Sequence, residues 1–176
     1  PSASGHVTIV FTSDWGVSTG VGHAGRTHSK IERGSKGQPV VRGTVITGVL
    51  REQAMLAAKA LDGQKDGTWT NFALWLFGQD PDGKQGSTPH PRHVLFTDAT
   101  PASSIDIHDT VSLSIDPQTE TARDQFLRFT ERAAAGVLTG TFTLIDEAGA
   151  PLSVQTTIDA AHFLLGVAGL MVRGIG

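Results

Sequence analysis

Residues 37–52 read GQPVVRGTVITGVLRE, and this stretch decides what kind of fold the chain can adopt. Pro39 disfavours a helix before it, so Val40 to Arg42 is expected to be a short extended piece. From Gly43 the pattern changes to a helical period. Val45, Val49, Met55 and Leu56 mark part of one apolar face, with Ile46 and Leu50 beside it. The helix should run to about Leu61, where DGQKDG breaks it.

On the N-terminal side, HVTIVFT at His6–Thr12 is β-branched and aromatic, as a strand should be. Between that strand and Pro39 the chain is rich in Gly, Ser and Thr and keeps no period, so an extended loop is expected. A loop of that length in a compact domain is functional or disordered. On the C-terminal side a second, short helix is expected in WTNFALWLFG, stopped by Gly78. The turn-rich QDPDGKQGSTPHP leads to a strand at Arg92–Thr97. Ile105–Ile115 reads as a partly exposed strand or hairpin, and Phe126–Arg132 and Val137–Ile145 as two further strands. Thr157–Ala168 has the pattern of an amphipathic helix. This order predicts an α+β fold: a ferredoxin-like or RRM-type antiparallel sheet with helices on one face, plus long loop and hairpin insertions. Residues 1–176 fit one domain. The start at Pro1 and the ending GLMVRGIG suggest a piece of a longer chain whose last strand lies beyond Gly176.

The chain has no cysteine, which rules out disulfides and thiolate metal sites and fits a cytoplasmic location. PSASGHVTIVF lacks the basic start of a secretory signal. No apolar run approaches the roughly 20 residues of a membrane span, so no membrane partner is expected. The net charge of −3 argues against a protein that coats nucleic acid everywhere. The cations are nevertheless bunched. Arg26, Lys30, Arg33, Lys36, Arg42 and Arg51 share their stretch with one acid, Glu32. Such a stripe can draw an anionic backbone to one face, although a solvated loop with scattered charges is an equal reading.

Gly20, Gly22 and Gly25 match G-x-G-x-x-G after a strand, but no helix opens there and no acid ends a following strand, so a dinucleotide site is disfavoured. The glycines still allow backbone amides close to an anion. The seven histidines contain no H-E-x-x-H, and a dedicated metal site is not expected. Asp14, at the end of the first strand, reads more readily as a loop-capping carboxylate than as a catalytic one. Trp69, Phe72, Trp75 and Phe77 have the spacing of a buried helix face rather than of a base-stacking surface.

Taken in order, IVFTSDWGVSTGVG (Ile9–Gly22), GQPVVRGTVITGVLRE (Gly37–Glu52), LFG (Leu76–Gly78) with VLFTDA (Val94–Ala99), IDPQTETARDQFLRFTE (Ile115–Glu131) and LLGVAGLMVRGIG (Leu164–Gly176) resemble the RAMP (repeat-associated mysterious protein) superfamily. The chain is most similar to the backbone subunits of type III CRISPR effector complexes, free-standing or as one domain of a fused effector. The resemblance implies a subunit that holds guide RNA, pairs it with target RNA and contacts neighbouring RAMP subunits or domains. It implies RNA contacts at Arg26, Lys30, Arg33, Arg42, Thr44, Thr47 and Arg51. It also implies glycine-rich loops at Gly20, Gly22, Gly25, Gly43, Gly174 and Gly176. The turn RGTVITG puts Thr44, Thr47 and free amides at a helix N-terminus, which favours phosphate. The segment Ile105–Ile115 resembles the hairpin that separates guide from target.

Catalytic members carry an acid in the loop after the first strand for magnesium-dependent cleavage of target RNA. The matching position here falls near Thr27 or His28, and neither is an acid. Natural loss, an altered residue or a shifted register would each explain this. Asp14 and His28 remain the catalytic candidates, His28 as a base for a ribose 2′-OH, with an inactive loop the favoured reading. The alternatives are a metal-independent, guide-processing endoribonuclease on the same fold and a protein-interaction module that binds no RNA.

Overall fold

The computed structural model describes residues 3–22, 29–64, 67–78, 90–115 and 122–174. The elements are β1 (Ala3–Phe11), α1 (Gly43–Leu61), α2 (Thr68–Phe77), β2 (Val94–Phe96), β3 (Thr100–Pro101), β4 (Ile107–Ile115), β5 (Ala122–Ala133), β6 (Gly136–Leu144) and α3 (Val154–Gly174). The fold is mixed α/β with antiparallel sheets, as the order of elements predicted. In the first sheet β6 lies between β1 and β2, and β3 also pairs with β6. Val94 faces Leu144 and Phe96 faces Phe142, while Thr100 faces Thr139. The second sheet is the β4–β5 hairpin.

The chain divides into two compact units. The first comprises Pro1–His6, Arg42–Thr97 and Thr141–Gly176; the second comprises Val7–Val41 and Asp98–Gly140. In the first, α1 packs on α2, α3 and β2. Ala54 and Ala58 of α1 and Ala73 and Leu76 of α2 are fully buried with Val94 of β2, and Phe163 of α3 joins the same core. Small side chains at helix contacts let the axes approach closely. Gly43 opens α1 because nothing larger fits: a Cβ there would lie 2.1 Å from the Phe96 carbonyl oxygen. The break after α1 is built from the residues that predicted it. Asp62 accepts hydrogen bonds from the amides of Thr70 (2.7 Å) and Trp69 (3.2 Å), and so caps α2 across the turn. Gly78, with φ of 79°, ends α2.

In the second unit the expected extended loop is a bridged ribbon. Thr19 donates to Lys30, Lys30 to Val21, Glu32 to Val17 and Val40 to Glu32 through their backbones. Buried backbone groups need such partners, and here a loop without secondary-structure period supplies them to itself. Trp15, Ile31, Val40, Val41, Ala99, Ala133 and Leu138 form the buried apolar part of this unit.

Two sequence expectations are corrected. Gly174, read as a loop glycine, lies at the end of α3, and Gly43, placed by the pattern at a helix start and by the resemblance in a glycine-rich loop, opens α1. The helix expected to end at Ala168 continues because Leu170 and Met171 keep the apolar period, and isolated glycines cost a helix only about 1 kcal/mol each. The longer helix also revises the absence of a span-length apolar segment: Val154–Met171 is long and apolar enough to cross a membrane by length and composition alone. Its Ala160, Phe163, Leu164 and Val167 belong to the first unit's core, as in a core helix.

Candidate nucleic-acid interface

The register of the β4–β5 hairpin sorts its side chains. His108 faces Arg132, Thr110 faces Thr130 and Ser112 faces Arg128. Directly opposed residues in an antiparallel pair share a face, and successive residues alternate. One face therefore carries His108, Thr110 and Ser112 beside Arg128, Thr130 and Arg132, with no carboxylate among them. The other face carries Asp109 opposite Glu131 and Val111 opposite Phe129. Arg128 and Arg132 are four residues apart, about 13 Å along the strand. Both side chains are exposed. Neither makes an ion pair among the described residues.

The outer edge of β5 is covered by the ribbon. Trp15 and Ala133 exchange both backbone hydrogen bonds, at 2.9 and 2.8 Å, and Glu131 donates its amide to Ser29 at 3.0 Å. Trp15 is buried, stacks on Phe11 at 4.2 Å and donates its indole N–H to Ala134 at 3.0 Å. Glu131 accepts from the Ile31 amide (3.1 Å) and from Arg33 Nη2 (3.1 Å), while Arg33 Nη1 reaches the Gly37 carbonyl at 3.3 Å. Arg33, read from sequence as an RNA contact, thus ties the ribbon to β5.

The ribbon also fixes Asp14. Its neighbour Trp15 is held to Ala133, and the carboxylate reaches β4. There Asp14 Oδ2 meets His108 Nε2 at 3.0 Å. With Asp14 ionised, Nε2 is the donor. His108 is a site residue that sequence reading missed.

Lys30 is half-buried in the ribbon, and Gly20 takes a φ of 73° in its turn, where its amide is bonded to Ser18 Oγ at 3.0 Å. Gly22 follows it, exposed. Arg26, His28, Gly25 and Gly176 lie outside the described residues, as does Thr27. In the first unit Arg42 is the N-cap residue of α1, and its carbonyl accepts from Val45 and Ile46. Thr44 is exposed on the first turn and Arg51 is half-buried further along. Thr47 is buried, and its hydroxyl donates to the Gly43 carbonyl at 2.7 Å, so that proton is committed inside the helix. His93 is buried too. It stacks on Trp75 at 4.3 Å, and Nδ1 donates to the Ile145 carbonyl at 2.9 Å.

The family model described as the RAMP superfamily matches residues 8–151. The chain belongs to the RAMP superfamily. The RAMP match takes in the ribbon, α1, α2 and the whole β4–β5 hairpin, and α3 follows it. A chain of the type III-B Cmr-beta complex in its apo state superposes on this RAMP protein with a TM-score of 0.65 at 8% identity, covering 92% of this chain and 89% of that one. A chain of Cmr-beta bound to cognate target RNA gives a TM-score of 0.64 at 8% identity over 90% and 88%. A chain of a type IV-B CRISPR complex gives 0.60 at 13% identity over 96% and 81%. At these identities the likeness is one of fold. No curated protein is significantly similar in sequence.

The magnesium that the family resemblance implies needs a converging set of acidic or imidazole ligands. Among the described residues no three His, Asp or Glu side chains converge closely enough to hold a metal ion. Magnesium accordingly enters no step below.

Proposed function

We propose that this RAMP chain is a backbone subunit or domain of a type III CRISPR effector complex that holds guide RNA and presents it to target RNA. The observation that carries the reading is the β4–β5 face, where Arg128 and Arg132 stand beside three hydroxyl-bearing side chains and no strand residue is a carboxylate, Asp14 reaching the face from the ribbon only at His108. Cations and hydroxyls in that arrangement suit a sugar–phosphate backbone, and backbone contacts position RNA without reading its sequence. Family membership and the fold shared with chains of CRISPR complexes support the same reading. Exposed Thr44 on the first turn of α1, with Arg42 at its N-cap, offers a separate phosphate contact in the first unit.

The test is binding of the full chain to single-stranded RNAs of unrelated sequence across a salt series. The expected result is similar affinity for each RNA, falling as salt rises because phosphate contacts release counterions. Arg42→Ala and Arg51→Ala should weaken binding to all of them alike. A chain that binds no RNA, or binds it with no salt dependence, would be a protein-interaction module instead.

A further inference from the structure

We propose that a cavity of about 230 Å³ in the first unit receives an arginine side chain presented by another protein chain, with His93, Glu147 and Asn71 as the acceptors of its guanidinium. The proposal goes beyond the RNA-binding reading and does not depend on it, since every residue it uses belongs to the first unit.

The centre of the site is a buried histidine held by both its backbone and its ring. His93 is 3% exposed, and its ring stacks on Trp75. Its amide donates to the Leu76 carbonyl at 2.9 Å, and its carbonyl accepts from the Ile145 amide at 3.0 Å. Nδ1 donates to the Ile145 carbonyl at 2.9 Å, so in the neutral ring the lone pair is on Nε2. Nε2 has no hydrogen-bond partner among the described residues. Those residues leave one side-chain polar atom both sealed and unpartnered, Thr70 Oγ1, so Nε2 is not sealed: it opens into the cavity that His93 lines. Buried polar atoms nearly always have a partner, and this one is an oriented acceptor without one.

Two more acceptors stand at the rim. Asn71 is four residues before Trp75 on α2 and so shares its face. Glu147 is in the turn after β6, where Asp146 Oδ1 accepts from the amides of Ala148 (2.9 Å) and Ala150 (2.7 Å) and holds the loop. Asn71 and Glu147 are exposed, and neither side chain has a partner among the described residues. Trp75 and Pro91 supply apolar wall. The lining holds one carboxylate and no lysine or arginine; its other titratable groups are His90 and His93. That balance disfavours an anion. Among the described residues no three His, Asp or Glu side chains converge, which argues against a metal ion. A guanidinium fits: it has N–H donors and no acceptor, it is planar and weakly hydrated, and its charge meets Glu147. The volume lies below the roughly 300–1,000 Å³ of a drug-sized site and suits one side chain.

The experiment is an NMR titration of the full chain with N-acetyl-arginine methylamide, followed at the Trp75 indole and His93 ring signals. A saturable shift at both is expected. The citrulline analogue, which has the same shape without the charge, and the lysine analogue should bind several-fold more weakly. Glu147→Gln should weaken binding of the arginine probe about threefold or more, as loss of an exposed charge-assisted pair does. Asn71→Ala should weaken it by a smaller factor. Both positions are exposed, so the fold stays intact. No saturable shift overturns the proposal, as does equal binding of the citrulline analogue or an unchanged affinity in Glu147→Gln. Tighter binding of unblocked arginine would make the site one for the free amino acid, and tighter binding of guanosine would make it one for a nucleobase; either overturns the proposal too.

Discussion

In the unit built on α1, α2, α3 and β2, order comes from apolar side chains: Ala54, Ala58, Ala73, Leu76 and Val94 are wholly removed from solvent. In the unit that carries β4 and β5, it comes largely from backbone hydrogen bonds between a ribbon and a strand edge, with Trp15 as the main apolar anchor. The two arrangements suit different tasks. A packed helical core fixes elements through many non-directional contacts. A ribbon pinned to a strand edge fixes single side chains, such as Asp14 and Arg33, at set positions along a solvated face.

The comparison breaks or sharpens under substitution. Leu76→Ala should have the largest effect, a loss of about 2–5 kcal/mol read by urea unfolding, since it empties a fully buried site in the helical core. Trp15→Ala should cost about 3 kcal/mol but act on the other unit. Hydrogen exchange separates the two: the amides of Glu131 and Ala133 should lose protection while those of β2 keep theirs. Equal loss in both would mean that the units do not open separately. Arg33→Ala should cost less than about 1 kcal/mol, because the ion pair with Glu131 is exposed on the arginine side and Glu131 keeps the Ile31 amide.

The smallest effect concerns Asp62. Desolvation pushes its carboxyl up, but the amides of Thr70, Trp69 and Gly67 together outweigh this and hold it below the ordinary value of 3.8. A lowered pKa contributes stability above the unfolded-state value, and that contribution disappears as pH falls through the folded-state value. Thermal unfolding followed between pH ~5 and ~3 should therefore show a steeper loss for the native chain than for Asp62→Asn. Parallel curves would remove the cap from the account.

What could be read from sequence follows the range of the interactions. The start of α1 at Gly43, its end near Leu61 and the stop at Gly78 are local events, signalled by period and by Gly and Asp, and the structure has them there. The ordered RAMP segments were legible for the same reason. The Asp14–His108 pair spans 94 residues and the Arg33–Glu131 pair 98, so neither exists until strand register is known. Arg33 illustrates the consequence: its charge was visible in the sequence, but its partner was not. The Arg128–Thr130–Arg132 alternation was within reach, because the strand itself was expected and alternation assigns its faces. The basic stripe at 26–51 is the denser run of cations in the sequence and masks that shorter alternation. The ribbon was hidden more deeply, since its backbone pairing follows no side-chain period.

The measurement that tests the central claim most directly is the salt dependence of RNA binding by the native chain and by the Arg128→Ala/Arg132→Ala double variant. If the hairpin face holds the RNA backbone, the native chain binds with a clear slope of log affinity against log salt. The double variant should then bind more weakly, with a slope reduced by about two. An unchanged slope in the double variant, or no RNA binding by the native chain, would contradict it.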